Sequence, residues 1–184
     1  MRPSFVQKAA VLSIHPKFAD AILRGTKRVE LRKPPFPKDI SSVVIYATSP
    51  IRYLVGRFEV EGIMVDRPGV IYLRTEGLAG VGIDDYEAYY KGKKWAVAIF
   101  IRNACEFKTL IDPEKYIRNW TPPQSFRYIT LNEYDRIVAA GSKLAGGPMP
   151  PKGRKETGQK GAGPKRGLDS PPSPPGSLSR GGML

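Results

Sequence analysis

The stretch YLVGRFEVEGIMVD, residues 53–66, limits what this chain can fold into more than any other segment. Leu54, Phe58 and Val60 share one parity while Arg57, Glu59 and Glu61 share the other. That alternation belongs to a half-buried strand. After Gly62 the phase slips, and Ile63 and Val65 take the opposite parity. A β-bulge at Gly62 accounts for the slip, and a bulged strand bends as strands do when a sheet curls into a barrel.

Further strands surround it. KAAVLSIH is the first, followed by Pro16 at a first-turn position and an apolar stripe of Phe18, Ala21 and Ile22 on a helix that Gly25 caps. In GTKRVELRK, residues 25–33, Val29 and Leu31 share one strand face, and Arg28, Glu30 and Arg32 share the other. SVVIYATS is dense in β-branched residues. Residues 68–91 are helical or irregular, with Asp84 and Glu87 as a capping pair for DYEAYY. Trp95, Val97, Ile99, Ile101, Cys105 and Phe107 then define one face of a long strand, with Cys105 in the core. Asp112-Pro113 opens a short helix. TLNEYDRIVAAG forms a last helix with a Thr130–Glu133 capping box, apolar Leu131, Tyr134 and Val138, and Gly141 as its stop. The expected class is α+β: a small β-barrel of five or six strands with short flanking helices.

Composition changes after Gly141. No aromatic residue follows Tyr134, and Gly, Pro, Ser and basic residues fill the remainder. Such a segment cannot bury enough apolar area to offset its ordering entropy. The expected organisation is a domain over residues 1–142 and a disordered basic tail over 143–184. The chain carries a formal +13, of which the tail holds +6, so the domain is basic in its own right. That excess favours polyanions: RNA, DNA or an anionic membrane surface, among which charge alone does not choose. No apolar run is long enough for a membrane span or a signal-peptide core, so the expected location is cytoplasmic, with no membrane partner.

Several chemistries are excluded by residue counts. One cysteine rules out an intramolecular disulfide and a cysteine-based metal cluster. A single histidine, His15, rules out a two-histidine nuclease, and its place beside Pro16 suits helix capping or loop packing. GVGIDD follows no clear strand and lacks the third glycine of a dinucleotide loop. No metal and no cofactor are expected.

What remains is the charge in the second strand. Read from the residues alone, half-exposed strands carry charge outward, and Glu30 would pair with Arg28 or Arg32 at little gain. If instead the charges face a cleft, Lys27 and Arg32 can hold a phosphate or a base carbonyl while Glu30 accepts from an exocyclic amine. Aromatic residues interleaved with basic ones are a second nucleic-acid signal: Arg52 and Tyr53 in SPIRYL, and Trp120, Phe126, Arg127 and Tyr128 in NWTPPQSFRYI. Packing at the barrel's end is the competing role for these rings.

LSIHPKFADAILRGTKRVELRK resembles the opening of ASCH domains, members of the PUA-like superfamily, through Gly25, Lys27, Glu30 and Arg32. VVIYATSP, VGRFEV, YYKGKKWAVAIFI and PPQSFRYIT resemble, in the same order, a prokaryotic branch named for transcriptional regulation. The resemblance spans roughly residues 9–140 and implies a PUA-like β-barrel with a basic cleft beside the first helix. It also implies a module that binds RNA or a modified nucleoside, with DNA as a further possibility. The residues it points to are Lys27, Glu30 and Arg32; Thr48 and Ser49 are expected nearby as hydroxyl donors, and Arg52, Tyr53 and Trp120, from the aromatic and basic pattern, complete the candidate nucleic-acid-binding set. Two alternatives follow from other members: a small hydrolase acting on N4-acetylcytidine or on RNA, and a transcription-linked regulator. Only as a hydrolase would Lys27 and Glu30 be catalytic. The amidohydrolase members resemble this chain but carry threonine where Glu30 stands, and their second glutamate falls in the region of Glu76 and Glu87. Attraction between Lys27 and Glu30 also favours the ionised forms, which argues against easy proton transfer.

Overall fold

The computed structural model describes residues 8–37 and 39–143. Almost all of the expected tail, residues 144–184, lies outside the described residues. In chain order the elements are β1 (Lys8–Ile14), α1 (Pro16–Leu23), β2 (Val29–Arg32), β3 (Ile40–Ala47), β4 (Tyr53–Asp66), α2 (Pro68–Thr75), α3 (Ile83–Tyr90), β5 (Ala96–Ile111), a 3-10 turn at Pro113–Lys115, β6 (Phe126–Ile129) and α4 (Leu131–Ser142).

Among the described residues the strands form one six-stranded mixed sheet in the order β2-β5-β4-β3-β1-β6. β1 and β3 run parallel, and the other neighbours are antiparallel. β4 shifts register against β5 at three places, one of them between Val60 and Gly62, where the sequence phase slips. These shifts bend the two longest strands.

The α+β class therefore stands, but the barrel is not closed. β2 and β6 remain the two ends of the sheet. Each is only four residues long, and a side chain, that of Arg32 in β2, reaches across to Ser13 in β1 and to Ser125 just before β6. Strand pairs of that length add little ladder, so the curl ends in a side-chain bridge.

Three apolar clusters hold the elements. Leu12, Ile14, Val43, Ile45, Phe58, Val97 and Ile99 pack with Ala19 and Ile22 of α1 on one face. Val11, Val44, Tyr46, Leu54, Phe107 and Ile111 pack with Ile137 of α4 on the other. Val29 and Leu31 pack with Ala96, Ala98 and the tyrosines Tyr86 and Tyr90 of α3. Among the described residues no helix is long and apolar enough to cross a membrane.

Several local expectations change. Phe107 belongs to a different cluster from Val97 and Ile99, because β5 passes through register shifts and Asn103 sits at φ +50°. Cys105 is exposed rather than in the core, and Trp95 lies outside the strand at 43% exposure. α3 begins after Gly82 with no side-chain cap, so Asp84 sits inside its first turn and does not cap it. Residues 126–129, given no strand from sequence, form β6. Gly141 does not stop α4; it lies buried within it, against the Phe107 ring. The Thr130–Glu133 capping box is present in both directions.

Candidate functional site

Gly25 adopts φ +76° at the end of α1, a conformation that favours glycine. The turn it makes is tied by the Lys27 amide, which donates to the Ala21 carbonyl at 3.0 Å. The Lys27 side chain is thereby sent inward and is 2% exposed.

β2 then alternates against β5, with Glu30 opposite Ile99 and Arg32 opposite Val97. Paired residues share a face, so Glu30 and Arg32 point with Val97 and Ile99 into the first cluster. Val29 and Leu31 turn toward α3. The charges therefore face inward and the apolar residues are covered from outside, the reverse of an ordinary surface strand. Both faces of β2 are buried.

The three charges meet there. Lys27 Nζ stands 3.4 Å from Glu30 Oε2, and Arg32 Nη2 stands 3.1 Å from Glu30 Oε1. The ammonium also donates to the Ala79 carbonyl, and it lies 5.0 Å from the centroid of the Phe18 ring. Arg32 donates to the Ser13 carbonyl at 2.8 Å and to the Ser125 carbonyl at 3.4 Å. Its Nε is buried without a hydrogen-bond partner among the described residues. One carboxylate against two cations leaves the cluster with an excess positive charge. Burial pushes the Lys27 ammonium below its usual pKa, outweighing the attraction of Glu30, and the Arg32 guanidinium adds to the lowering. Desolvation thus reverses the balance expected from the Lys27–Glu30 pair alone.

A cavity of about 350 Å³ opens beside the trio. Ser13, His15, Lys17 and Phe18 line it from β1 and α1, and Val81, Asp85, Tyr86 and Tyr89 line it from the α3 side. His15 caps α1, its Nδ1 accepting from the Lys17 amide at 3.4 Å. Burial pushes the Tyr86 phenol up to about 12 and raises Tyr89 and Tyr90 as well. The Tyr90 hydroxyl donates to the Arg32 carbonyl at 2.9 Å, tying α3 to the back of the strand.

The other expected residues do not line this cavity. Thr48 is tied to the end of β1, its amide donating to the Ile14 carbonyl at 3.0 Å. Ser49 and Arg52 are exposed in the turn that follows β3, with Arg52 at φ +60°, and half-buried Tyr53 starts β4. Trp120 packs edge-on against Tyr46, their centroids 5.1 Å apart, in the cluster on the α4 side of the sheet. Glu76 and Glu87 are exposed and also stand off the cavity, whose second carboxylate is Asp85. Asp85 and Tyr89 went unnoticed in sequence, although their spacing of four places them on one helix face beside the buried Tyr86 and Tyr90. Among the described residues no three of His, Cys, Asp and Glu lie close enough to hold a metal ion.

Comparison with known proteins places this arrangement in a family. Residues 12–108 match the ASCH domain model. A Zymomonas mobilis protein named ASCH domain-containing ribonuclease is 31% identical over 141 residues, covering 75% of this chain and 95% of that one. The crystal structure of ASCH from Zymomonas mobilis superposes with a TM-score of 0.69 at 29% identity, over 75% of this chain and 99% of that chain. A weaker likeness, 26% over 122 residues, is to the large ribosomal subunit protein uL22 of Ureaplasma parvum, of which the match spans 38%. The chain belongs to the ASCH domain family.

Proposed function

We propose that this protein acts on RNA, binding single strands and taking one unpaired base into the cavity beside Lys27, Glu30 and Arg32. One observation carries the reading: three ionised side chains, each about nine-tenths buried or more, border an open cavity. Burying ions is costly, of order several kcal/mol for each. A purely structural cluster would be expected to neutralise itself, whereas this one keeps a spare positive charge and an unpartnered Arg32 Nε. The cavity volume lies at the small end of the range for small-molecule sites, roughly 300–1,000 Å³. Glu30 still has acceptor capacity after two ion pairs, which suits an exocyclic amine. Arg32 Nε–H suits a carbonyl, and Phe18 and Tyr89 supply apolar walls. The Zymomonas mobilis relative, named a ribonuclease, supports RNA as the polymer. Thr48, Ser49, Arg52 and Tyr53, in the turn after β3 and at the start of β4, would meet flanking nucleotides.

Fluorescence anisotropy with labelled single-stranded RNA tests this. Binding should weaken as salt rises, and Glu30→Gln should reduce it at least tenfold. Since the charged trio also holds the fold, Val81→Trp, which fills the cavity from its rim, is the second variant and should do the same. RNA binding indifferent to both substitutions, or absent, overturns the proposal. A DNA strand of the same sequence, run alongside, tests the regulator reading.

A second reading, RNA cleavage, is favoured by the same relative's name and by the lowered pKa of Lys27, which makes its ammonium a readier proton donor. On that reading Lys27 gives the proton and Glu30 holds it in place. Incubation with RNA, and separately with N4-acetylcytidine, tests both hydrolytic activities. No turnover of either removes the catalytic roles and leaves binding.

A further inference from the structure

We propose that an RNA strand whose base enters the cavity leaves it across an adjoining ridge of lysines and aromatic rings: Lys33, Lys91, Lys93, Lys94 and Trp95, with Tyr89 as the step between cavity and ridge. The inference rests on the RNA-binding reading above and names the surface that holds the rest of the strand.

Tyr89 lines the cavity and is 39% exposed, so one ring belongs to both places. Lys33 Nζ stands 4.3 Å from the centroid of that ring. Lys33 is also the first residue past the Arg32–Val97 ladder pair, which sets it beside Ala96, where Trp95 leads into β5. Lys94 Nζ lies 5.9 Å from the Trp95 ring, and exposed Lys91 and Lys93 occupy the turn that leaves α3. That turn is tight: Gly92 sits at φ +70°, and the Lys93 amide donates to the Tyr90 carbonyl at 2.8 Å. The two segments therefore converge on one rim of the cavity.

Charge selects the kind of partner. Neither residues 31–37 nor residues 89–95 include an acidic side chain. Among the described residues none of these four lysines takes part in an ion pair with a carboxylate. Four clustered cations repel one another until a polyanion lies across them. Trp95, at 43% exposure, and Tyr89 offer ring faces at the surface, where successive unpaired bases can stack irrespective of sequence. A duplex hides those base faces, so the ridge fits a single strand better than a double one. Basic residues alternating with exposed rings are the usual construction of such a path.

The test uses the full chain and three probes: a mononucleotide, a twelve-nucleotide single strand and a duplex of the same length. The triple variant Lys91→Gln, Lys93→Gln, Lys94→Gln should weaken single-strand binding at least tenfold at low salt. It should also reduce the slope of log affinity against log salt by about 2, at roughly 0.7 per lost phosphate contact on a single strand. Mononucleotide binding should not change, whereas Val81→Trp should abolish it. RNA should quench Trp95 emission, identified as the part of the signal that Trp95→Phe removes from the wild type. An unchanged salt slope in the triple variant overturns the ridge and leaves the cavity reading intact. Equal binding of duplex with no Trp95 quenching also overturns it. Loss of mononucleotide binding in the triple variant counts against it too, since the lysines would then act inside the cavity.

Discussion

Arg32 Nη2 donates to the Ser13 carbonyl at 2.8 Å, so a side chain from one end strand of the sheet is fastened to the strand next to the other end. The same guanidinium is an ion-pair partner of Glu30. Arg32→Met removes these contacts at once, leaving Glu30 with one counter-ion and the Ser13 and Ser125 carbonyls without this donor. Loss of one partner of a buried pair costs roughly 3–5 kcal/mol, and the urea-unfolding midpoint should fall accordingly. Arg32→Lys should rescue little of this, because an ammonium lacks the fork that reaches two carbonyls and a carboxylate. A loss below about 1 kcal/mol in Arg32→Met would show the bridge to be incidental.

The lowered pKa of Lys27 gives stability a defined pH dependence. Between its folded-state pKa and its ordinary value of 10.5 the unfolded chain binds more protons at this residue than the folded chain. Stability contributed by Lys27 therefore rises with pH across that interval. The wild type, compared with Lys27→Met at each pH, should gain unfolding free energy as the solution is made alkaline toward 10.5. A flat or falling difference would mean that Glu30 outweighs desolvation after all.

Tyr86 should behave in the opposite sense. Burial raises its phenol to about 12, so the folded state keeps the proton after the unfolded state has lost it. Its contribution is complete below about pH 10, the ordinary tyrosine value, and disappears as pH rises toward about 12. Tyrosinate absorbance should show a late-titrating component missing from Tyr86→Phe, and that variant should lose less stability over the same range. A Tyr86 titrating near the ordinary tyrosine value of about 10 contradicts the buried position.

Gly141→Ala offers a test of packing against propensity. Alanine is better than glycine within a helix by about 1 kcal/mol. A Cβ at position 141 would nevertheless lie 2.4 Å from two atoms of the Phe107 ring, closer than carbon atoms approach. The substitution should destabilise by roughly 1–3 kcal/mol. In a Phe107→Leu background the penalty should shrink and propensity should begin to tell. A stabilising Gly141→Ala in the wild-type background would mean that α4 can move off the sheet freely.

Patterns confined to a single element were legible in sequence. The phase slip at Gly62 marked a real register shift, and Thr130–Glu133 marked a real cap, because each depends only on near neighbours. The inward direction of Glu30 and Arg32 was not legible from alternation, which divides Val29 and Leu31 from the charges without stating which side is dry. That is decided by α3, some fifty residues later, which covers the apolar side. Cys105 and Phe107 were misplaced for a similar reason: parity counting assumes an unbroken strand, and β5 is bent. Asp85 and Tyr89 stayed hidden because a cavity wall assembled from two distant segments leaves no mark in either one.

The carbonyl of Ala79, in the connection between α2 and α3, receives the ammonium of Lys27, while the neighbouring carbonyl of Leu78 receives the amides of Arg28 and Val29. That connection is therefore not a detachable ornament. A homologue that shortens it, or a chimera that exchanges it, must provide another oxygen for the lysine or give up the cation, and either change alters the pocket's polarity. Divergence of chemistry within this scaffold can thus begin in a segment that carries none of the charged trio.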